Sequence, residues 1–131
     1  MTATRPITVL IVDDFAKFRQ VVRSKLEANG FQILAEASDG LEAVTKAAEL
    51  QPDVVLLDIA MPNLDGIEAA ARIRTISHKS KILFVSHTTD PDTVQAVLGD
   101  RGHGFVGKVK VSSHLLPAID AVLNGVTVSI I

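Results

Sequence analysis

The side chains in this sequence best suited to chemistry stand at the ends of short apolar runs. Asp13 and Asp14 follow Ile7-Thr8-Val9-Leu10-Ile11-Val12, Asp58 follows Val54-Val55-Leu56-Leu57, Ser86 follows Ile82-Leu83-Phe84-Val85, and Lys108 follows Gly104-Phe105-Val106-Gly107. An unpaired carboxylate is costly inside a core, so each acid is expected on a rim, facing solvent, a cation or a reaction. Three carboxylates gathered there would repel one another, and a divalent cation would relieve the repulsion. The chain has no cysteine, and His78, His87, His103 and His114 show no metal-ligand spacing, so an oxygen-only set points to Mg²⁺. A carboxylate can also act as a nucleophile and take up a phosphoryl group as an aspartyl phosphate. Such a transfer needs positioning and cancellation of charge on the phosphoryl oxygens, which Mg²⁺, Lys108 and the Ser86 hydroxyl would each supply at one oxygen.

The elements that must hold these groups are legible from pattern. Runs without polar alternation, such as Val54–Leu57, suit strands buried on both faces, as in a parallel sheet covered by helices. Strands are expected at Ile7–Val12, Phe31–Ala37, Val54–Leu57, Ile82–Val85 and around Gly104–Gly107, with Glu36 the one awkward residue in the second. Between them, Phe15, Phe18, Val22 and Leu26 recur at helical spacing as the core face of a first helix that stops at Asn29-Gly30. Asp39 with Glu42 forms a capping box for a second helix whose inner face is Leu41, Val44, Ala47, Ala48 and Leu50. Pro62 to Asp65-Gly66 reads as a turn, and a third helix carrying Ile67, Ala70, Ala71, Ile73 and Arg74 runs out near Ser77. Asp90-Pro91 opens a fourth helix with Val94, Val97 and Leu98. Ser112 or Ser113 caps a last one with Leu115, Leu116, Ile119, Val122 and Leu123, Pro117 falling near its first turn.

Five strands alternating with five helices, joined by right-handed crossovers, give a three-layer doubly wound α/β domain. At 131 residues, without an internal repeat or linker, the expectation is one domain spanning 1–131 with no output domain in this chain. Hydrophobic residues make up 47% and aromatics only 4%, so the core is built from Val, Ile, Leu and Ala. A formal charge of −2 gives no general attraction to nucleic acid or anionic membrane, and the absence of cysteine excludes disulfides and thiol catalysis. No run approaches a membrane span, and the early apolar run is too short for a signal peptide. A cytoplasmic location agrees with all of this.

Together, Val12-Asp13-Asp14, Leu57-Asp58-Ile59-Ala60-Met61-Pro62, Leu64-Asp65-Gly66, Ser86 and Gly104-Phe105-Val106-Gly107-Lys108 resemble the receiver domain of two-component response regulators, over Ile7 to about Gly125. The resemblance implies a flavodoxin-like fold with strand order 2-1-3-4-5 and a phosphoryl group received on Asp58 from a sensor histidine kinase. It implies that Asp14, Asp58 and the Ala60 carbonyl ligate Mg²⁺, with Asp13 acting through water. Ser86 and Lys108 would hold the phosphoryl oxygens, and Ser86 with Phe105 would form the switch that remodels the face of the fourth helix, fifth strand and fifth helix. Such a domain is a signalling module rather than an enzyme, assisting only its own phosphorylation and dephosphorylation. A homodimer through that face or through the last helix would be its second partner. The last helix looks most like that of receivers preceding a LuxR-type helix-turn-helix output domain.

The sequence departs from the family pattern at several places. His87 stands where a small residue is usual and narrows the route to Asp58, Asp100-Arg101-Gly102-His103 replaces small residues before the fifth strand, and Val109 follows Lys108 in place of Pro or Asp. The apolar tail Val126–Ile131 must pack on the domain or a neighbour, or be the mark of a truncation before an output domain. Two readings compete with phosphoryl acceptance. A small-molecule aspartyl-phosphate enzyme would need an acid two residues past the nucleophile, where Ala60 stands. A phosphorylation-independent, receiver-like interaction domain is kept open by His87.

Overall fold

The computed structural model describes residues 5–88, 90–99 and 101–131, so Asp100 of the segment before the fifth strand lies outside the described residues. Strands β1 (Thr8–Val12), β2 (Gln32–Ala37), β3 (Val54–Leu57), β4 (Lys81–Ser86) and β5 (Gly104–Gly107) alternate with helices α1 (Ala16–Ala28), α2 (Gly40–Leu50), α3 (Gly66–Ile76) and α4 (Pro91–Val97). A 3-10 turn at Lys108–Lys110 leads into α5 (Val111–Leu123), and a short strand β6 (Val128–Ile130) follows. Every pairing is parallel and the order is β2-β1-β3-β4-β5-β6.

The α/β layering and the order of the first five strands agree with expectation, but the sheet has six strands, not five. The apolar tail is the reason. Val128 packs against the core beside α5, and β6 takes up the outer edge of β5 in the register Gly104↔Val128, Phe105↔Ser129, Val106↔Ile130. An unpaired β5 edge would leave a row of backbone donors and acceptors open, which β6 satisfies.

Alternation along the strands divides the core. Val9, Ile11, Val54, Leu56, Leu83 and Val85 face α1 and α5, while Leu10, Val12, Val55, Leu57, Ile82 and Phe84 face α2, α3 and α4. With both faces covered, β3 is buried at all four positions, as its unbroken apolar run requires.

Several local expectations give way to packing. Phe15 is 68% exposed because it precedes α1 as its N-cap residue, leaving Val22 and Leu26 as the buried stripe. In α2 the buried residues are Gly40, Ala43 and Ala47, whereas Leu41, Ala48 and Leu50 are exposed. The loop after β3 presses onto the start of this helix so closely that a Cβ on Gly40 would stand 2.0 Å from the Leu64 carbonyl oxygen, so the face with the smallest residues turns inward. Asp65 caps α3 through the Glu68 N–H, and Gly66 is already helical rather than a turn residue. The 3-10 turn runs straight into α5, so that helix begins before Ser112 and Ser113, neither serine caps it, and Pro117 lies inside it. Glu36 is accommodated by Arg19 Nε and Arg23 Nη1, both at 2.9 Å. Burial alone would raise its carboxyl, but Arg23 and Arg19 outweigh that and hold it below the usual value.

His103 continues the ladder just before β5. Its N–H donates to the Ile82 carbonyl at 2.8 Å, and its Nδ1 accepts from the Ile82 N–H at 2.9 Å, which fixes the ring as neutral. Burial, with Arg74 and Lys81 adding their charges, pushes its pKa down to about 4. The unfolded chain therefore binds the proton more readily, and the stabilisation is complete above about pH 6.5 and lost as pH falls toward 4. Between pH 7 and 4.5 the wild type is expected to lose about 1–2 kcal/mol more than His103→Gln, allowing for screening at a partly exposed ring. Urea midpoints check this, and equal losses would show that the ring does not titrate with folding.

Candidate functional site

Parallel strands bring their carboxyl ends to one edge, and in this strand order the crevice opens where β1 and β3 lie side by side. Asp13 extends β1 and is 2% exposed, its N–H bonded to the Ala37 carbonyl at 3.0 Å. Its Oδ1 accepts from the Phe15 N–H at 2.9 Å, and Arg19 Nη1 donates to its backbone carbonyl. Asp58 extends β3 and is 6% exposed, with its N–H on the Val12 carbonyl at 3.1 Å and its Oδ1 accepting from the Ile59 N–H at 2.8 Å. Each carboxylate thus has one oxygen fixed by a backbone donor and the other turned toward Lys108.

Lys108 reaches over from the end of β5. Its Nζ lies 2.7 Å from Asp13 Oδ2 and 3.2 Å from Asp58 Oδ2, with the side chain 6% exposed. The Asp13 contact is close but off the hydrogen-bond direction, so buried Asp13 Oδ2 has no aligned donor among the described residues. Burial pushes the Asp58 carboxyl up, the Lys108 ammonium pulls it back and the Asp13 charge adds to the rise. For Lys108, burial works downward, but the close carboxylates of Asp13 and Asp58 win and hold the ammonium above its usual value.

Asp14 is exposed at the crevice mouth, and one carboxylate oxygen from each of Asp13, Asp14 and Asp58 lies within 4.8 Å of the others. One ammonium cannot neutralise three carboxylates. That surplus charge and the unaligned Asp13 oxygen fit a small divalent cation with hard oxygen ligands. Asp14, Asp58, Ala60, Ser86 and Lys108 all line a crevice of about 490 Å³. Ser86 is 4% exposed at the end of β4.

The structure therefore brings together Asp13, Asp14, Asp58, Ala60, Ser86 and Lys108. Phe105 is not among them. It is fully buried within β5, in the cluster with Phe84, Val94 and Val97, paired in register with Phe84 on one side and Ser129 on the other. His87 lines the crevice mouth, as its place after Ser86 leads one to expect. Phe15, Thr88 and Thr93 also line it, and sequence pattern did not single them out as site residues. Phe15 had a signal in retrospect, since a residue directly after two rim acids has to share their crevice.

The loop from Asp58 to Gly66 is held from below. Asn63, in the left-handed region at φ 68°, donates through its side chain to Asp39 Oδ2 at 2.8 Å, and the Gly66 N–H bonds the Ile59 carbonyl at 2.7 Å.

The sequence profile of the response regulator receiver domain matches residues 9–120. Chemotaxis protein CheY of Bacillus subtilis is 36% identical over 116 residues, covering 88% of this chain and 97% of CheY. Transcriptional regulatory protein LiaR of the same organism is 35% identical over 120 residues, covering 91% of this chain and 57% of LiaR. The chain thus spans nearly all of one relative and little more than half of the other. Among solved structures, a LuxR-family two-component response regulator from Aurantimonas sp. SI85-9A1 superposes with a TM-score of 0.88 at 29% identity, over 94% of this chain and 89% of that one.

Proposed function

This chain belongs to the response regulator receiver domain family of two-component systems, and on that premise we propose that Asp58 is its phosphoryl acceptor, supplied by a sensor histidine kinase. The observation that carries this is the Lys108 ammonium seated between Asp13 and Asp58 at the carboxyl edge of the sheet, with Ser86 lining the same crevice.

Asp58 attacks phosphorus through a carboxylate oxygen, a P–O bond forms, and the donor leaves with the electrons of its old bond to phosphorus. Lys108, already beside Asp58 Oδ2, is placed to exchange carboxylate for phosphoryl oxygen and so to follow the charge as it moves. The Ser86 hydroxyl covers a second oxygen. Asp13, Asp14, Asp58 and the Ala60 carbonyl are the groups that would hold Mg²⁺, which when bound supplies charge cancellation on the remaining phosphoryl oxygen. Ala60 offers no acid two residues past Asp58, so the domain acts on itself and not on outside phosphomonoesters.

Drawing Ser86 toward the phosphoryl group vacates room at the end of β4, into which Phe105 moves. The α4-β5-α5 face, here bordered by β6, changes with it, and phosphorylation acts by binding this second packing better. That face or the last helix is the proposed homodimer contact. A LuxR-type helix-turn-helix output partner and a cytoplasmic place of action complete the reading. Among the described residues no helix is long and apolar enough to cross a membrane.

Intact-mass measurement after incubation with acetyl phosphate and Mg²⁺ tests the reading. One added phosphoryl group per chain is expected. An unchanged mass would restore the phosphorylation-independent interaction domain, for which His87 at the crevice mouth is the specific observation.

A further inference from the structure

We propose that Phe18 is a positioning residue for the phosphoryl-transfer site, acting through Lys108 as a cation–π platform. This rests on the acceptor reading above and extends it to a side chain on α1.

An ammonium has three N–H donors, and one that is nearly dry must place all of them. Lys108 Nζ donates to Asp58 Oδ2 at 3.2 Å and pairs with the charge of Asp13 Oδ2 at 2.7 Å without an aligned hydrogen bond. That leaves donor capacity unmet on a side chain only 6% exposed, at the wall of the crevice. The Phe18 ring faces the ammonium, with Nζ 4.5 Å from its centroid, inside the range in which the negative face of an aromatic ring attracts a cation. Phe18 is itself fixed, partly buried on the inner stripe of α1 with Val22 and Leu26 and packed on the cluster beneath β1 and β3.

The contact has a property that a third carboxylate would lack. A ring face is broad and weakly directional, so the ammonium can slide across it while trading Asp58 Oδ2 for a phosphoryl oxygen. It also adds no negative charge to a crevice that already holds three carboxylates. Phe18 therefore keeps Lys108 aimed through the transfer without competing for its charge.

The test compares phosphorylation from acetyl phosphate with Mg²⁺ in the wild type, Phe18→Leu, Phe18→Tyr, Lys108→Ala and the Phe18→Leu/Lys108→Ala pair, all at a temperature where melting curves show each folded. Leucine keeps apolar bulk but removes the ring face, and it is expected to slow the wild-type reaction roughly fivefold or more, while tyrosine holds the rate within about twofold. In the Lys108→Ala background the Phe18→Leu effect should vanish. A readout independent of transfer is the nitrogen–proton signal of the Lys108 ammonium, expected to be protected from exchange in the wild type and Phe18→Tyr and lost in Phe18→Leu. An unchanged Phe18→Leu rate, or an equal slowing with and without Lys108, would overturn the proposal. A wild type that takes no phosphoryl group would instead overturn the acceptor reading, leaving the ammonium signal to decide the Phe18 contact.

Discussion

Lys108→Ala is expected to slow phosphoryl transfer to Asp58 by roughly 100-fold or more, the usual cost of losing one preorganised charge at a developing oxyanion. The same change removes the only cation that the described residues place against the two buried carboxylates, Asp13 at 2.7 Å and Asp58 at 3.2 Å. Removing one partner of a buried ion pair leaves charge without compensation, which costs about 3–5 kcal/mol when nothing else moves in. Here Mg²⁺ can move in, so the loss of stability should be largest in a chelator and should shrink in millimolar Mg²⁺, through binding to the folded state alone. Denaturant titrations with and without Mg²⁺, run beside the kinetics, check both halves. A Lys108→Ala protein that takes up phosphoryl groups at the wild-type rate would remove the ammonium from the mechanism.

Gly66→Ala should be nearly as damaging, for a reason of space rather than charge. A Cβ at Gly66 would stand 1.9 Å from the Asp58 carbonyl oxygen and 2.9 Å from Ile59 Cα. Both are backbone atoms at the end of β3, so neither can swing aside as a side chain would. Either α3 is pushed off the sheet or Asp58 is carried out of line with Lys108. The expected destabilisation is about 3 kcal/mol, at the upper end of what overpacking costs, together with a loss of phosphoryl acceptance. Gly30→Ala is the natural comparison. Nothing lies within 4 Å of its added Cβ, but Gly30 has φ +86°, so the cost is conformational, about 1 kcal/mol, and acceptance should be unaffected. Equal stability losses for the two variants, with acceptance intact in both, would contradict the close approach at Gly66.

Why Asp13, Asp14, Asp58, Ser86 and Lys108 were legible in the sequence follows from the architecture. In an all-parallel sheet covered on both faces, each strand is an unbroken apolar run, and the residue after each run is carried to the same edge, so order along the chain becomes proximity in space. The capping of α2 by Asp39 and of α4 by Asp90 was equally legible, since those bonds close within three residues. What pattern could not convey depends on contacts between distant segments. The inward face of α2 follows from the approach of Leu64 to Gly40, which favours alanine over the larger Leu41 and Leu50. The tail Val126–Ile131 reads as apolar without stating a partner, and only the open edge of β5 makes Val128–Ile130 a strand. The start of α5 does not follow from its serines because its first turn grows out of the 3-10 turn at Lys108–Lys110, leaving them no capping role. Phe18 reads as ordinary helix core, and its position over the Lys108 ammonium is visible only when α1 and the residue after β5 are seen together.

The central claim is that one particular carboxylate carries the phosphoryl group. Borohydride reduces an acyl phosphate on aspartate to homoserine, so treatment of the phosphorylated protein followed by peptide mapping reads the acceptor directly. Homoserine at position 58 in the wild type, and none anywhere in Asp58→Asn, is the result the geometry predicts. Homoserine at Asp13 or Asp14, or an Asp58→Asn protein still reduced at the wild-type level, would contradict it.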